Sequence, residues 1–176
     1  MKTPRILVAG IGNVFMGDDG FGVAVVRALA ERPRVASVTV LDAGIRGIDL
    51  TYALMDGYDA AILVDATPRG RPPGTLYVLA PEPAGVREDV SLFDAHAMDP
   101  SRVLSLVENL GGKVGELRIV GCEPGALGTP EDPVFELTPP VAAAVPIAVE
   151  LVERLVRDFS AGAAGAIEPE AAPCTS

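Results

Sequence analysis

The chain has 176 residues, 49% hydrophobic and 22% charged, with 14 Lys and Arg against 24 Asp and Glu for a net charge of −10. That length is one ordinary domain with a sizeable core, and the composition excludes a disordered chain. The acid excess, with Lys2 and Lys113 the only lysines, excludes non-specific binding to nucleic acid or to an anionic membrane, which needs clustered bases.

Two cysteines, Cys122 and Cys174, are too few for a disulfide framework or a cysteine-based zinc site. The apolar run of MKTPRILVAGIG is too short for a signal peptide, and no apolar stretch approaches the roughly 18 residues of a membrane span. A soluble, cytoplasmic, monomeric protein is expected. His96 is the single histidine, so any chemistry that needs imidazole must use it.

In chain order, Arg5–Ala9 predicts a strand, Phe21–Ala30 a helix, Ser37–Leu41 a strand and Ile48–Met55 a helix. Ala60–Val64 and Thr75–Leu79 predict two further strands, Arg102–Leu110 a helix and Leu117–Gly121 the last strand. A long helix is expected over Val141–Phe159, with Thr138 as its N-cap and Pro139 and Pro140 in its first turn. Pro146 should bend that helix or delay its start. Alternating strands and helices mean an α/β domain with a largely parallel sheet. Residues 66–74 (ATPRGRPPG) are too few and too broken for a parallel crossover, so Thr75–Leu79 should run antiparallel at an edge. One domain is expected over residues 1–159, and residues 160–176 read as a disordered tail.

The first strand leads into Gly10-Ile-Gly12-Asn13 and then Gly17-Asp18-Asp19-Gly20. The dinucleotide fingerprint G-x-G-x-x-G fails here, because Phe15 stands at its third glycine and two carboxylates follow where phosphate would lie. Acids at a helix start can simply cap it. Asp65 sits at the carboxyl end of the third strand, where open α/β sheets place ligands, although a strand-end turn residue is the plain alternative. His96 lies in Ala80–Asp99, a long stretch without regular period; such loops are usually functional or disordered, and a lone loop histidine is more often solvated than a ligand. Together two carboxylates and an imidazole suit a borderline metal ion.

The chain resembles the maturation endopeptidases of nickel–iron hydrogenases. The likeness is carried by ILVAGIGNVFMGDDGFGV (Ile6–Val23), Leu41-Asp42-Ala43-Gly44, Ile62-Leu63-Val64-Asp65-Ala66, His96 followed by Val103-Leu104, Val120-Gly121-Cys122-Glu123-Pro124, and Leu137-Thr138-Pro139-Pro140-Val141. It implies a three-layer α/β/α fold with a five-stranded sheet in the order 2-1-3-5-4, strand four antiparallel. It implies nickel ligation and catalysis by Asp19, Asp65 and His96, while Asp18 is not a ligand. It also implies an endopeptidase that removes the C-terminal extension of a hydrogenase large-subunit precursor, its nickel carried by that precursor. Metal-activated water and a carboxylate general base both remain open. The chain departs from the family in Gly44-Ile45-Arg46-Gly47, in Asp94 two residues before the histidine, and in Cys122, which reads as a core residue. A non-catalytic metal-sensing or nucleotide-binding α/β module is the alternative of another class.

Overall fold

In a computed structural model that describes residues 3–81 and 100–162, the strand Ile6–Ile11 (β1) is buried at every position. An unbroken apolar run such as ILVAGI is what a strand covered on both faces requires. The same holds for Ala60–Ala66 (β3), buried up to Asp65. Val38–Gly44 (β2), Leu76–Leu79 (β4) and Glu116–Cys122 (β5) complete a five-stranded sheet in the order β2-β1-β3-β5-β4. β1 runs parallel to β2 and β3, and β3 parallel to β5. Only β4 is antiparallel, paired with β5 at the sheet edge, as the short proline-rich connection before it demands.

Four helices cover the sheet: Phe21–Ala30 (α1), Gly47–Met55 (α2), Pro100–Asn109 (α3) and Pro139–Ser160 (α4). Period-two alternation along the strands builds two cores. Ile6, Val8, Ala60, Ile62 and Val64 pack with Phe21 and Val25 of α1 and with Val141, Val149 and Val152 of α4. Leu7, Ala9, Ala61 and Leu63 pack with Leu50 and Leu54 of α2 and with Val103, Leu104 and Val107 of α3. Each large apolar side chain so buried contributes about 1.5–3 kcal/mol.

The expected elements stand within one to three residues of their predicted bounds. α4 departs from expectation in two ways. It starts at Pro139 and continues through Pro146 to Ser160, so Pro146 does not delay it, and the helix passes the expected domain boundary by one residue. Thr138 occupies the N-cap position in an extended conformation but makes no capping bond with its side chain. Residues 163–176, which hold most of the expected tail and Cys174, lie outside the described residues, as do 82–99. Among the described residues no helix is long and apolar enough to cross a membrane.

Strand order reverses between β1 and β3, and the crevice of an open α/β sheet opens at the carboxyl ends of such a pair. Gly22, at the start of α1, closes the base of that crevice. A Cβ there would lie 2.1 Å from the Val64 carbonyl oxygen and 2.4 Å from that of Ile11. Both are backbone atoms of central strands and have no room to retreat. Gly22→Ala is therefore expected to destabilise the fold by about 3 kcal/mol or more, the upper range of overpacking costs, measured by denaturant unfolding. Wild-type stability in that variant would show that α1 can shift off the strands.

Candidate functional site

After β1 the chain turns at Gly12, whose φ of 130° is glycine territory. A Cβ there would come within 1.8 Å of the Asp19 carbonyl oxygen, so the loop doubles back onto residue 19. The Asn13 N–H then donates to Asp19 Oδ2 at 2.7 Å, and Asn13 Oδ1 accepts the Phe15 N–H at 3.0 Å. Asp19 is half-buried in a short 3-10 turn, Asp18–Gly20, directly before α1. That turn packs against β3.

Asp65 is the last but one residue of β3 and is 7% exposed. It shares a strand face with Ala61 and Leu63, and so looks toward the layer of α2 and α3. Its register partner is Gly121 of β5, where a Cβ would lie 2.6 Å from Thr67 Oγ1. The turn that carries Asp19 thus packs against the strand that carries Asp65, and Gly22 lies against the carbonyls of Ile11 and Val64, the latter one residue before Asp65. His96, the third expected ligand, lies outside the described residues, and α3 begins four residues after it. Among the described residues no group of three His, Cys, Asp or Glu could hold a metal ion.

Asp18 has a different task from the one its position suggests. It is fully buried, yet neither the 3-10 turn nor α1 has a side-chain cap. Its Oδ2 accepts the backbone N–H groups of Gly125 (2.7 Å) and Ala126 (2.9 Å) and the Thr138 hydroxyl (2.7 Å). Its Oδ1 accepts the Thr138 N–H at 2.7 Å. One carboxylate therefore joins the β1–α1 loop, the loop after β5 and the entrance to α4. Burial alone would raise the Asp18 pKa, but the bonds from Ala126, Thr138 and Gly125 outweigh it and hold the carboxyl below its ordinary value.

Glu123, directly after β5, does the same for the β3–β4 connection. Its Oε2 accepts the Arg69 N–H (2.8 Å) and the Tyr77 hydroxyl (2.6 Å), and its Oε1 accepts the Gly70 N–H (3.0 Å). Burial pushes its pKa up, and the Tyr77 hydroxyl with the Arg69, Gly70 and Arg71 amides brings it down below the ordinary carboxylate range. Tyr77 is pushed up to about 12, by burial first and then by the bond to Glu123. Cys122 is fully buried in the core. Arg46 turns back on its own bend, donating to the Asp42 and Ala43 carbonyls and standing 3.6 Å from Asp49.

Asp18→Asn replaces an acceptor of four hydrogen bonds with a group that must point an NH2 at N–H donors. A loss of about 2–4 kcal/mol is expected, since bonds to charged groups are worth roughly 1.5–3 each and orphaned donors add a penalty. The lowered pKa values of Asp18 and Glu123 give stability that is complete above the ordinary carboxylate range, about pH 4, and is lost as pH falls through their lower folded values. The raised Tyr77 pKa acts oppositely: its contribution is complete below about pH 10 and is lost as pH rises toward the folded value of about 12. Melting temperature against pH should fall at both ends, with Asp18→Asn shallower on the acid limb and Tyr77→Phe on the alkaline limb. Unchanged limbs in both variants would contradict the assignment.

A family model described as hydrogenase maturation protease matches residues 23–155, a span that takes in Asp65 and the position of His96 but begins just after Asp19. The hydrogenase expression/formation protein HupD of Rhizobium leguminosarum bv. viciae is 34% identical over 171 residues, 97% of this chain and 82% of that protein. The hydrogenase maturating endopeptidase HybD from Escherichia coli is 31% identical with a TM-score of 0.69, over 88% of this chain and 93% of that one. A [NiFe] hydrogenase maturation protease, HybD from Thermococcus kodakarensis, is 26% identical with a TM-score of 0.61, over 86% of this chain and 99% of that one. The sheet order and these likenesses agree, and the chain belongs to the hydrogenase maturation proteases, a family of peptidases.

Proposed function

We propose that the protein is the endopeptidase that removes a C-terminal extension from a [NiFe] hydrogenase large-subunit precursor, and that nickel already seated in the precursor is what it recognises. The observation that supports this reading is that the turn carrying Asp19 packs against β3, which carries Asp65 near its carboxyl end, in a chain of the hydrogenase maturation protease family. Asp19, Asp65 and His96 are assigned as the ligands that complete the coordination of the precursor's nickel. Carboxylate and imidazole suit a first-row ion of that hardness.

Asp65 is fixed by the central sheet, and Asp19 by the bond from Asn13 to one of its two oxygens. Ligands held in advance place a bound ion, and with it the scissile peptide, without a further ordering cost. Seated there, the precursor's nickel supplies Lewis acidity to the scissile carbonyl. Asp19 would give the ion the oxygen that lies outside the Asn13 bond. A precursor without nickel lacks the group that the ligands hold, so cleavage waits for metal insertion. The nucleotide-binding alternative finds no support in the loop: the open side of Gly12 is filled by the Asp19 backbone, leaving no cradle for a pyrophosphate.

Purified protein incubated with nickel-loaded and nickel-free precursor should shorten only the loaded form, read as a mass loss in the large subunit. Asp19→Asn, Asp65→Asn and His96→Ala should each abolish that loss with little change in melting temperature. The double variant Asp19→Asn/Asp65→Asn should be no worse than either single one, the non-additivity of groups acting on one ion. Cleavage of nickel-free precursor at the loaded rate would overturn the metal-gated reading. Retained cleavage in any of the three single variants would remove that residue from the site.

A further inference from the structure

The loop carrying Asp19 ends in an exposed apolar surface that the fold does not need. Phe15 is 56% exposed, Leu127 54%, Val134 38% and Phe135 68%. Phe15 and Phe135 meet edge to face, ring centroids 5.7 Å apart and planes at 88°. The backbone beneath them is clasped rather than loose. The Val134 N–H donates to the Phe15 carbonyl (2.9 Å), the Gly17 N–H to that of Val134 (2.7 Å) and the Gly128 N–H to that of Met16 (3.1 Å). Isolated bridges pair Met16 with Val134 and Gly17 with Leu127. Behind this clasp the Asp18 carboxylate holds Gly125, Ala126 and Thr138. Two segments far apart in sequence are thus fixed in one surface, with two phenylalanines pointing outward.

Rigid backbone under exposed aromatic side chains describes a contact surface, because contiguous exposed apolar area on a monomer is usually functional and aromatic anchors on a stiff support bind at low entropic cost. The charged residues of the clasp's own two segments are all acids. Between Arg5 and Arg27, and again between Arg118 and Arg154, the sequence holds no lysine or arginine. Glu131, Asp132 and Glu136 on the same clasp are exposed. A partner that offers apolar side chains flanked by Lys or Arg complements this surface. The surface is continuous with the crevice, since Phe15 and Asp19 are both tied to Asn13.

We propose that the clasp of residues 15–17 with 126–136 is where the folded body of the precursor docks, an apolar face bordered by basic residues meeting Phe15, Leu127, Val134 and Phe135. This rests on the proteolytic reading above and assigns a second contact remote from the nickel ligands. Its work is to raise the occupancy of the crevice, so it should act on the precursor concentration needed for cleavage and not on the rate at saturation. Acidic rim residues should add salt sensitivity to the encounter.

The test is the concentration dependence of nickel-loaded precursor cleavage by wild type, Phe135→Ser, Phe135→Leu and Glu131→Lys/Glu136→Lys, with melting temperatures and sedimentation of each protein alone. Phe135→Ser should raise KM by roughly tenfold or more, the scale of losing a central aromatic anchor, with kcat within about twofold because the ligands are untouched. Phe135→Leu should recover much of the loss, and the charge reversal should raise KM most at low salt. An unchanged KM in a folded Phe135→Ser, with wild type cleaving normally, overturns the docking surface and leaves the proteolytic reading standing. If Phe135→Ser unfolds, the charge-reversal variant decides alone, and an unchanged KM there overturns the proposal. A wild-type dimer that Phe135→Ser dissociates without a change in KM would assign the surface to a second copy of this chain and overturn the proposal equally. Failure of wild type to cleave loaded precursor defeats the proteolytic reading itself.

Discussion

The burial of the Asp18 carboxylate is the constraint on which the crevice depends. A buried carboxylate is costly unless every lone pair is met, and here four donors from three positions meet it. Those donors come from the loop after β5 and the entrance to α4, so satisfying one charge fixes three segments at once. The neighbouring residue Asp19 gains its position from this arrangement without sharing the bonds. Adjacent residues in a tight turn point in different directions, which lets one acid face the interior while the next faces the crevice.

A division of labour among four acids follows from their surroundings. Asp18 and Glu123 sit where backbone amides converge, and their depressed pKa values express how well the protein has replaced water around them. They are structural anions, each tying a loop to the end of β5 or to α4. Asp19 and Asp65 lie at the carboxyl ends of β1 and β3, where the sheet opens. The two segments that form the clasp bring acids and no base of their own.

The central strands were legible because burial on both faces leaves an unalternating apolar run, and β4 because nine broken residues cannot carry a crossover. Strand order and the pairing of Asp19 with Asp65 came from the likeness to a family, and register through Gly10 with Val64 agrees with that order. What stayed hidden was the wiring around Asp18. Both Asp18 and Thr138 stand just before helices and each has a sufficient local reading as a cap. Nothing in sequence pairs residues 120 apart. In the structure a hydroxyl bond to a buried carboxylate, which is charge-assisted, wins over a neutral cap on its own helix. Glu123 was noticed only as part of a motif, because a nest of successive amides is a property of the folded loop and leaves no pattern of residue types. His96 stands out as the single histidine, in a long irregular stretch and within the family likeness, and the described residues do not reach it.

Asp19 and Asp65 differ in what holds them. Asp65 belongs to a strand paired on both sides, so its backbone moves only with the sheet. Asp19 hangs on a loop whose shape depends on Gly12, on Asn13 and, through Asp18, on residues near position 126 and at 138. The clasp of residues 15–17 with 126–136 shares that Asp18 support, so a contact on Phe15 and Phe135 would meet a stiff surface and leave Asp19 and Asp65 where the loop and the sheet hold them. Contact at the clasp and chemistry at the strand ends are thereby separable: the first sets how often a partner is held, the second rests on groups the partner does not move.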